Sequence, residues 1–192
     1  MTLLSAAAFG VVLAACAGLR AFLPVFSASL AVQLMGLQLP QHLAWLERRE
    51  VLFVFGVATL VEILGDKVPV VDHLLDSVQV FTKPALAVVA AAPFVYQLAP
   101  EYAMGIAVMV GAPLALGVHA TKASVRVGST ATTGGLGNPV LSLLEDVAAV
   151  GSVVLAFVAP VLALLLMAGL LLFLVRLAFR VRRGRAHRAA AR

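Results

Sequence analysis

From Val147 to Val175 the chain carries no charged residue. An α-helix rises about 1.5 Å per residue and a bilayer's hydrocarbon core is about 30 Å thick, so roughly 20 apolar residues cross it. A run this long and this free of charge reads as a membrane span. It is longer than a crossing needs, so the helix is expected to tilt, or to bend at Pro160. The rest of the composition points the same way. Hydrophobic residues make up 62% of the 192 and charged residues 12%, whereas a soluble domain is about 45–50% apolar and about 25% charged. A soluble enzyme, a disordered chain and a disulfide-stapled secreted domain are all excluded on these figures. The single cysteine, Cys16, cannot form an intrachain disulfide or a zinc site alone.

Other apolar runs lie upstream. Pro84 to Leu98 and Tyr102 to Val118 are joined by Ala99-Pro100-Glu101, a connection short enough to require an antiparallel hairpin. Val51 to Leu64 is marginal in length and carries Glu62. Leu3 to Leu39 is too long for one span and holds one charge, Arg20; Gly18 and Pro24 mark a break there. Two short spans folded about Arg20 are the preferred reading, with a span plus a re-entrant piece as the alternative. Leu13-Ala-Ala-Cys16 matches a lipoprotein cleavage box, but no basic residue precedes it, so an uncleaved first segment is expected. The expected fold is all-α: a polytopic transmembrane helical bundle with about five to six membrane segments, some broken or re-entrant. Residues 1–175 form the transmembrane domain and residues 176–192 a basic tail.

The net charge of +5 separates into two parts. Seven of the fourteen basic residues are arginines at 176, 180, 182, 183, 185, 188 and 192. The body therefore holds seven basic and nine acidic groups, a balance of −2, and the tail adds +7. Arginine directly after an apolar helix marks a cytoplasmic end under the positive-inside rule. With six segments the N-terminus is inside too, Arg48 and Arg49 join the tail, and Lys67, Lys83, Lys122 and Arg126 lie outside. The localisation implied is an inner (plasma) membrane, multi-pass, with the C-terminus cytoplasmic. Arg180, Arg182, Arg183 and Arg185 are suited to anionic lipid. Nucleic acid is not an expected partner, because no basic face with aromatic or motif support is visible; a homo-oligomer remains open.

The remaining charges are informative because an ionisable group at mid-bilayer costs roughly 2.5–3.5 kcal/mol and usually faces a bundle interior. Glu62 and Asp66 are four apart, as are Asp72 and Asp76, so each pair shares a helix face. Lys67 sits between the pairs. From Pro69 a second short helix is expected, with Asp72, Asp76, Gln79 and Lys83 on its polar stripe. His119, Lys122 and Arg126 follow at spacings of three and four, again one face. Gly128 to Gly137 reads as a flexible loop without a Walker pattern. Asn138 and Pro139 then read as N-cap and N1 of a helix carrying Glu145 and Asp146. Pro69–Asp76 and Pro139–Asp146 agree at several positions, which is either coincidence in a Leu/Val-rich chain or a parallel internal repeat. On the six-segment topology all these charges gather in the outer half as one site, opposite the tail.

These same residues carry a family resemblance. Gly18-Leu19-Arg20, Glu62 with Asp66-Lys67-Val68-Pro69 and Asp72, Lys83-Pro84, His119 with Lys122 and Arg126, and Asn138-Pro139 with Glu145-Asp146 resemble a bacterial membrane-protein family known as domain of unknown function 4126. The resemblance runs nearly to the arginine tail; it implies an architecture and important positions, and no reaction. Glu62-Ile-Leu-Gly-Asp-Lys67 is also similar to the Glu-x-Gly-Asp-Lys-Thr signature of a cation/proton exchanger family. It departs by one extra residue before Gly65 and by Val68 in place of Thr or Ser.

The functional expectation is a transporter or channel-like protein, cation- or proton-coupled, in which Arg20, Glu62, Asp66, Lys67, Asp72, Asp76, His119, Lys122, Arg126, Asn138, Glu145 and Asp146 form the site. The alternative is a non-enzymatic assembly or lipid-organising protein whose charges are structural ion pairs. An enzyme ranks last, because the Asp-rich and nucleophile motifs of intramembrane phosphate chemistry are missing. No cofactor is expected, and no metal is assigned, since His and Cys do not occur at ligand spacing.

Overall fold

The longest apolar run does not make one helix. In the computed structural model, α7 (Asn138–Val158) ends at Ala159, whose φ of −146° and ψ of 74° break the helix, and α8 (Pro160–Ala190) starts afresh. Pro160 has no N–H with which to continue the ladder. Leu141 and Leu144 of α7 line one cavity with Phe173 and Leu177 of α8, so the two helices run antiparallel. The expected tilt or bend at Pro160 is thus a reversal. The backbone is described for residues 2–67 and 69–190, and side chains for 2–67, 77–173, 175–177, 179 and 180.

Every regular element among the described residues is helical. The first apolar stretch breaks where glycine and proline predict, giving α1 (Leu3–Leu19) and α2 (Leu23–Met35), with Pro24 in the first turn of α2. They fold back on each other, since Ser5 and Phe9 share a cavity with Met35 and Leu37. At 1.5 Å per residue they reach only about 25 and about 20 Å, short of a core of about 30 Å. A loop pinned by Ser29 Oγ donating to the Leu46 carbonyl (2.6 Å) leads to α3 (Arg49–Gly65).

The next helix departs from expectation. The short helix from Pro69 and the apolar run from Pro84 are one element, α4 (Pro69–Tyr96), with Pro84 and Pro93 inside it. Proline inside a membrane helix is tolerated where neighbouring helices compensate for the missing hydrogen bond. A tight turn then gives α5 (Ala103–Ile106), a π-helical turn over Ala107–Gly111 and α6 (Ala112–Thr133) as one continuous rod. Tyr102–Val118 is therefore not a complete span followed by a loop: helix continues through His119 and through most of the supposed loop. Only residues 134–137 turn, with Gly134 and Gly135 at φ of 63° and 93°, which glycine adopts without strain.

Four stretches are long and apolar enough to cross a membrane: Ser77–Tyr96, Pro100–Thr133, Asn138–Val158 and Pro160–Leu177. Their outer faces carry exposed large apolar side chains, such as Phe81 and Met109, and so does α3 with Phe53. In water such surfaces would aggregate; against lipid they are ordinary. The chain is a membrane-embedded helical protein. Its centre is α1, where twelve of seventeen residues are buried, as expected of a helix apolar on all sides. Small residues permit the close approach. A Cβ on Gly18 would overlap Val118 and the Ala115 carbonyl oxygen of α6, so glycine is what brings the end of α1 against α6.

The connectivity corrects the expected topology. Ser5, Met35 and Pro160 line one cavity at one end of the bundle, whereas Leu19, Lys122, Glu145 and Leu177 line another at the other end. The N-terminus and the start of the arginine tail therefore lie at opposite ends. Arg48 and Arg49, the cap and first residue of α3, are also remote from the tail, since the Arg48 carbonyl accepts from Gln33 of α2.

Candidate functional site

Six helix ends or faces converge on the turn between α1 and α2. Arg20, first residue after α1, keeps its backbone N–H bonded to the Cys16 carbonyl while its side chain leaves the helix axis. That side chain is fully buried. Its guanidinium pairs with Asp66, just past α3, and with Asp146 of α7, and donates to Ser142 Oγ at 3.3 Å. A planar fork can serve several acceptors at once, which an ammonium group cannot do as well.

Glu62 acts differently from its neighbour Asp66. Its carboxylate accepts from the backbone N–H groups of Ala21 (2.7 Å) and Phe22 (3.1 Å) and from Gln79 Nε2 (2.7 Å). Those two amides belong to the turn directly before α2, Phe22 being its cap residue, at the end of the helix that carries positive dipole character. Glu62 is thus a cap supplied from another helix, and this explains a buried acid in an otherwise uncharged stretch.

The bases on α6 complete the network. Lys122 Nζ lies 3.1 Å from Glu145 and 3.8 Å from Asp66, and donates to the Leu19 carbonyl at 3.4 Å. Arg126 Nη2 is 3.2 Å from Glu145 and 3.8 Å from Asp66. Lys67, half-exposed, reaches Asp146 at 3.1 Å. Asp66 is the hub, in reach of three bases from α1 and α6. Each of these three carboxylates therefore faces at least two basic groups. Beside them Lys83 of α4, also fully buried, sits 3.0 Å from His119 Nδ1. Arg20 Nε is buried without a hydrogen-bond partner.

Nine of the twelve residues singled out from the sequence are in or beside this cluster: Arg20, Glu62, Asp66, Lys67, His119, Lys122, Arg126, Glu145 and Asp146. Asn138 is not among them and is not an N-cap. It lies inside α7, whose cap position is Gly137, and its Nδ2 donates to Thr130 Oγ1 across the α6–α7 turn (2.9 Å). The side chains of Asp72 and Asp76 lie outside the described residues, as do those of Arg182, Arg183 and Arg185. Lys83, Gln79 and Ser142 also belong to the cluster although they are not among those twelve. Gln79 and Lys83 share the polar stripe of α4 at a spacing of four, and Ser142 lies one turn before Asp146; those spacings were the available signal. The position of the cluster is also corrected. It lies at the same end as Leu177 and the start of the tail, not opposite it.

Among the described residues no group of three or more His, Cys, Asp or Glu side chains is arranged to hold a metal ion. The chain matches the family described as "Domain of unknown function (DUF4126)" over residues 7–180. No curated protein and no solved structure matches it.

Proposed function

The chain belongs to that family of unknown function, and from this premise we propose that it is a small proton-coupled carrier, not an enzyme, whose substrate site is the buried network around Arg20. The α1–α2 pair is a re-entrant hairpin entering from one side. With α4, α5–α6, α7 and α8 as crossings and the shorter α3 beside the α1–α2 pair, the basic tail and the network face the cytoplasm of a bacterial inner membrane. Non-helical backbone at membrane depth is tolerated only where protein or a polar cavity surrounds it, and in carriers such breaks hold the substrate.

The observation that carries this reading is the state of Arg20: a wholly buried guanidinium at a hairpin tip, with Nε unpartnered. An unsatisfied buried donor at the centre of a polar network calls for an acceptor. The carboxylates indicate how uptake is coupled. Asp66, Glu145 and Asp146 already face basic side chains, so none of them is left over to hold a metal cation. A proton on Asp66 removes the negative charge shared by Arg20, Lys122 and Arg126. The positive charge left over then favours entry of an anion. Proton and anion would move together.

The test is reconstitution into vesicles containing a pH-sensitive dye, under an imposed pH gradient, with chloride or inorganic phosphate outside and gluconate as control. Expected is protein-dependent acidification that one of the two small anions accelerates and Asp66→Asn abolishes while elution in detergent stays monodisperse. Folded wild-type protein that acidifies no faster than empty vesicles would end the reading.

A second reading, a non-enzymatic assembly or lipid-organising protein, is favoured by the mutual pairing of the charges. It predicts that the double swap Lys122→Met with Glu145→Gln, which removes the 3.1 Å pair as a unit and leaves the net charge unchanged, preserves function. A carrier site would not tolerate the swap.

A further inference from the structure

A cavity of about 360 Å³ lies between α6, α7 and α8, closed at one place by Leu19 at the end of α1. Its walls are apolar except at one place, where Lys122 and Glu145 form their pair. On α8 the lining residues are Leu170, Phe173 and Leu177, at spacings of three and four, so they form one stripe. The next position on that stripe is Arg180, which is exposed. An apolar slot therefore runs along α8 as far as Leu177, and Arg180 follows on the same helix face about one turn beyond, where the apolar stretch of α8 gives out. Room for roughly a dozen methylene-sized groups, at about 30 Å³ each, suits one acyl chain.

We propose that this slot is an intramembrane binding site for the acyl chain of an anionic glycerophospholipid, with the phosphate held by Arg180 at the bilayer surface. The arrangement matches such a lipid in both charge and order: cation at the interface, apolar slot below it. The chain's own contribution is a gain in insulation. An acyl chain in the slot keeps water from the Lys122–Glu145 pair, and a buried pair is strengthened when water is excluded. Occupancy by lipid thereby tightens the network that holds Asp66. This site does not depend on the carrier reading, since it requires only that the protein sit in a bilayer.

The test uses a tryptophan placed in the slot. Phe173→Trp protein, with native Trp45 at the opposite end as internal control, is reconstituted into phosphatidylcholine vesicles containing a minor fraction of brominated lipid. Brominated phosphatidylglycerol should quench the Phe173→Trp emission several-fold more strongly than brominated phosphatidylcholine at equal fraction, and Trp45 should show no such preference. Adding Arg180→Gln should abolish the preference without altering elution, and Ala148→Phe, which fills the slot, should lower quenching by both lipids. Equal quenching by the two lipids, or a preference that survives Arg180→Gln, overturns the proposal.

Discussion

Arg20 divides its charge between Asp66 and Asp146, and each acid loses its nearest basic partner once it is removed. Arg20→Ala should cost about 3–5 kcal/mol, because Asp66 and Asp146 are left as buried charges with less compensation. Arg20→Lys should cost less, as charge remains while the fork is lost. Unfolding in detergent with increasing denaturant checks both, and an Arg20→Ala protein as stable as the parent would show that the network contributes nothing to the fold. Glu62 gives a different result. Glu62→Gln keeps one acceptor oxygen for the N-terminus of α2 but turns an amide towards the second donor; a loss of about 1–3 kcal/mol follows. The cost should fall on α2, seen as faster backbone exchange at Ala21 and Phe22, and not on the Arg20 pairs. The importance of Glu62 was legible in the sequence, since a lone acid in an apolar helix needs a partner. Its partner was not, because backbone amides of a distant turn leave no mark in a side-chain pattern.

At the scale of elements, the helices are placed by where glycine and proline interrupt them. Gly18 and Gly117 form an informative pair. A Cβ on Gly18 would overlap α6, whereas one on Gly117 meets nothing within 4 Å. Gly18→Ala should therefore push α1 from α6 and destabilise by about 1–3 kcal/mol. Gly117→Ala, in an open helix interior, should stabilise by about 0.5–1 kcal/mol. Opposite shifts in melting temperature are the expected result; shifts of one sign would contradict the packing of α1 against α6. The breaks at Gly18–Pro24 and near Asn138 were readable because they join local backbone constraints. Pro84 and Pro160 depart from the local rule: α4 runs through the first, and at the second the chain reverses instead of bending. Proline removes one hydrogen bond in every context. Whether the helix kinks, ends or turns back depends on the neighbours that supply compensating contacts, and those are tertiary.

For the whole molecule, the reversal at Pro160 changes which surfaces face which side. Cysteines introduced at Gln41 and Leu136 should be labelled by an impermeant reagent from opposite sides of the membrane, and Arg180→Cys from the same side as Leu136→Cys. Native Cys16 is buried and should contribute little background. Labelling of Gln41→Cys and Arg180→Cys from one side would restore the six-segment topology. The sequence by itself determined that this chain lives in a membrane as a helical bundle, and that its few interior charges belong together. Both follow from quantities summed along the chain: apolar length against bilayer thickness, and the cost of an isolated charge in lipid. Only the tertiary structure decided that Glu62 caps α2 while Asp66 joins Arg20, and that the cluster and the tail share one end. Those outcomes turn on which helices pack side by side and in which direction. In lipid, apolar surface does not discriminate between partners, so small residues and paired charges make that choice.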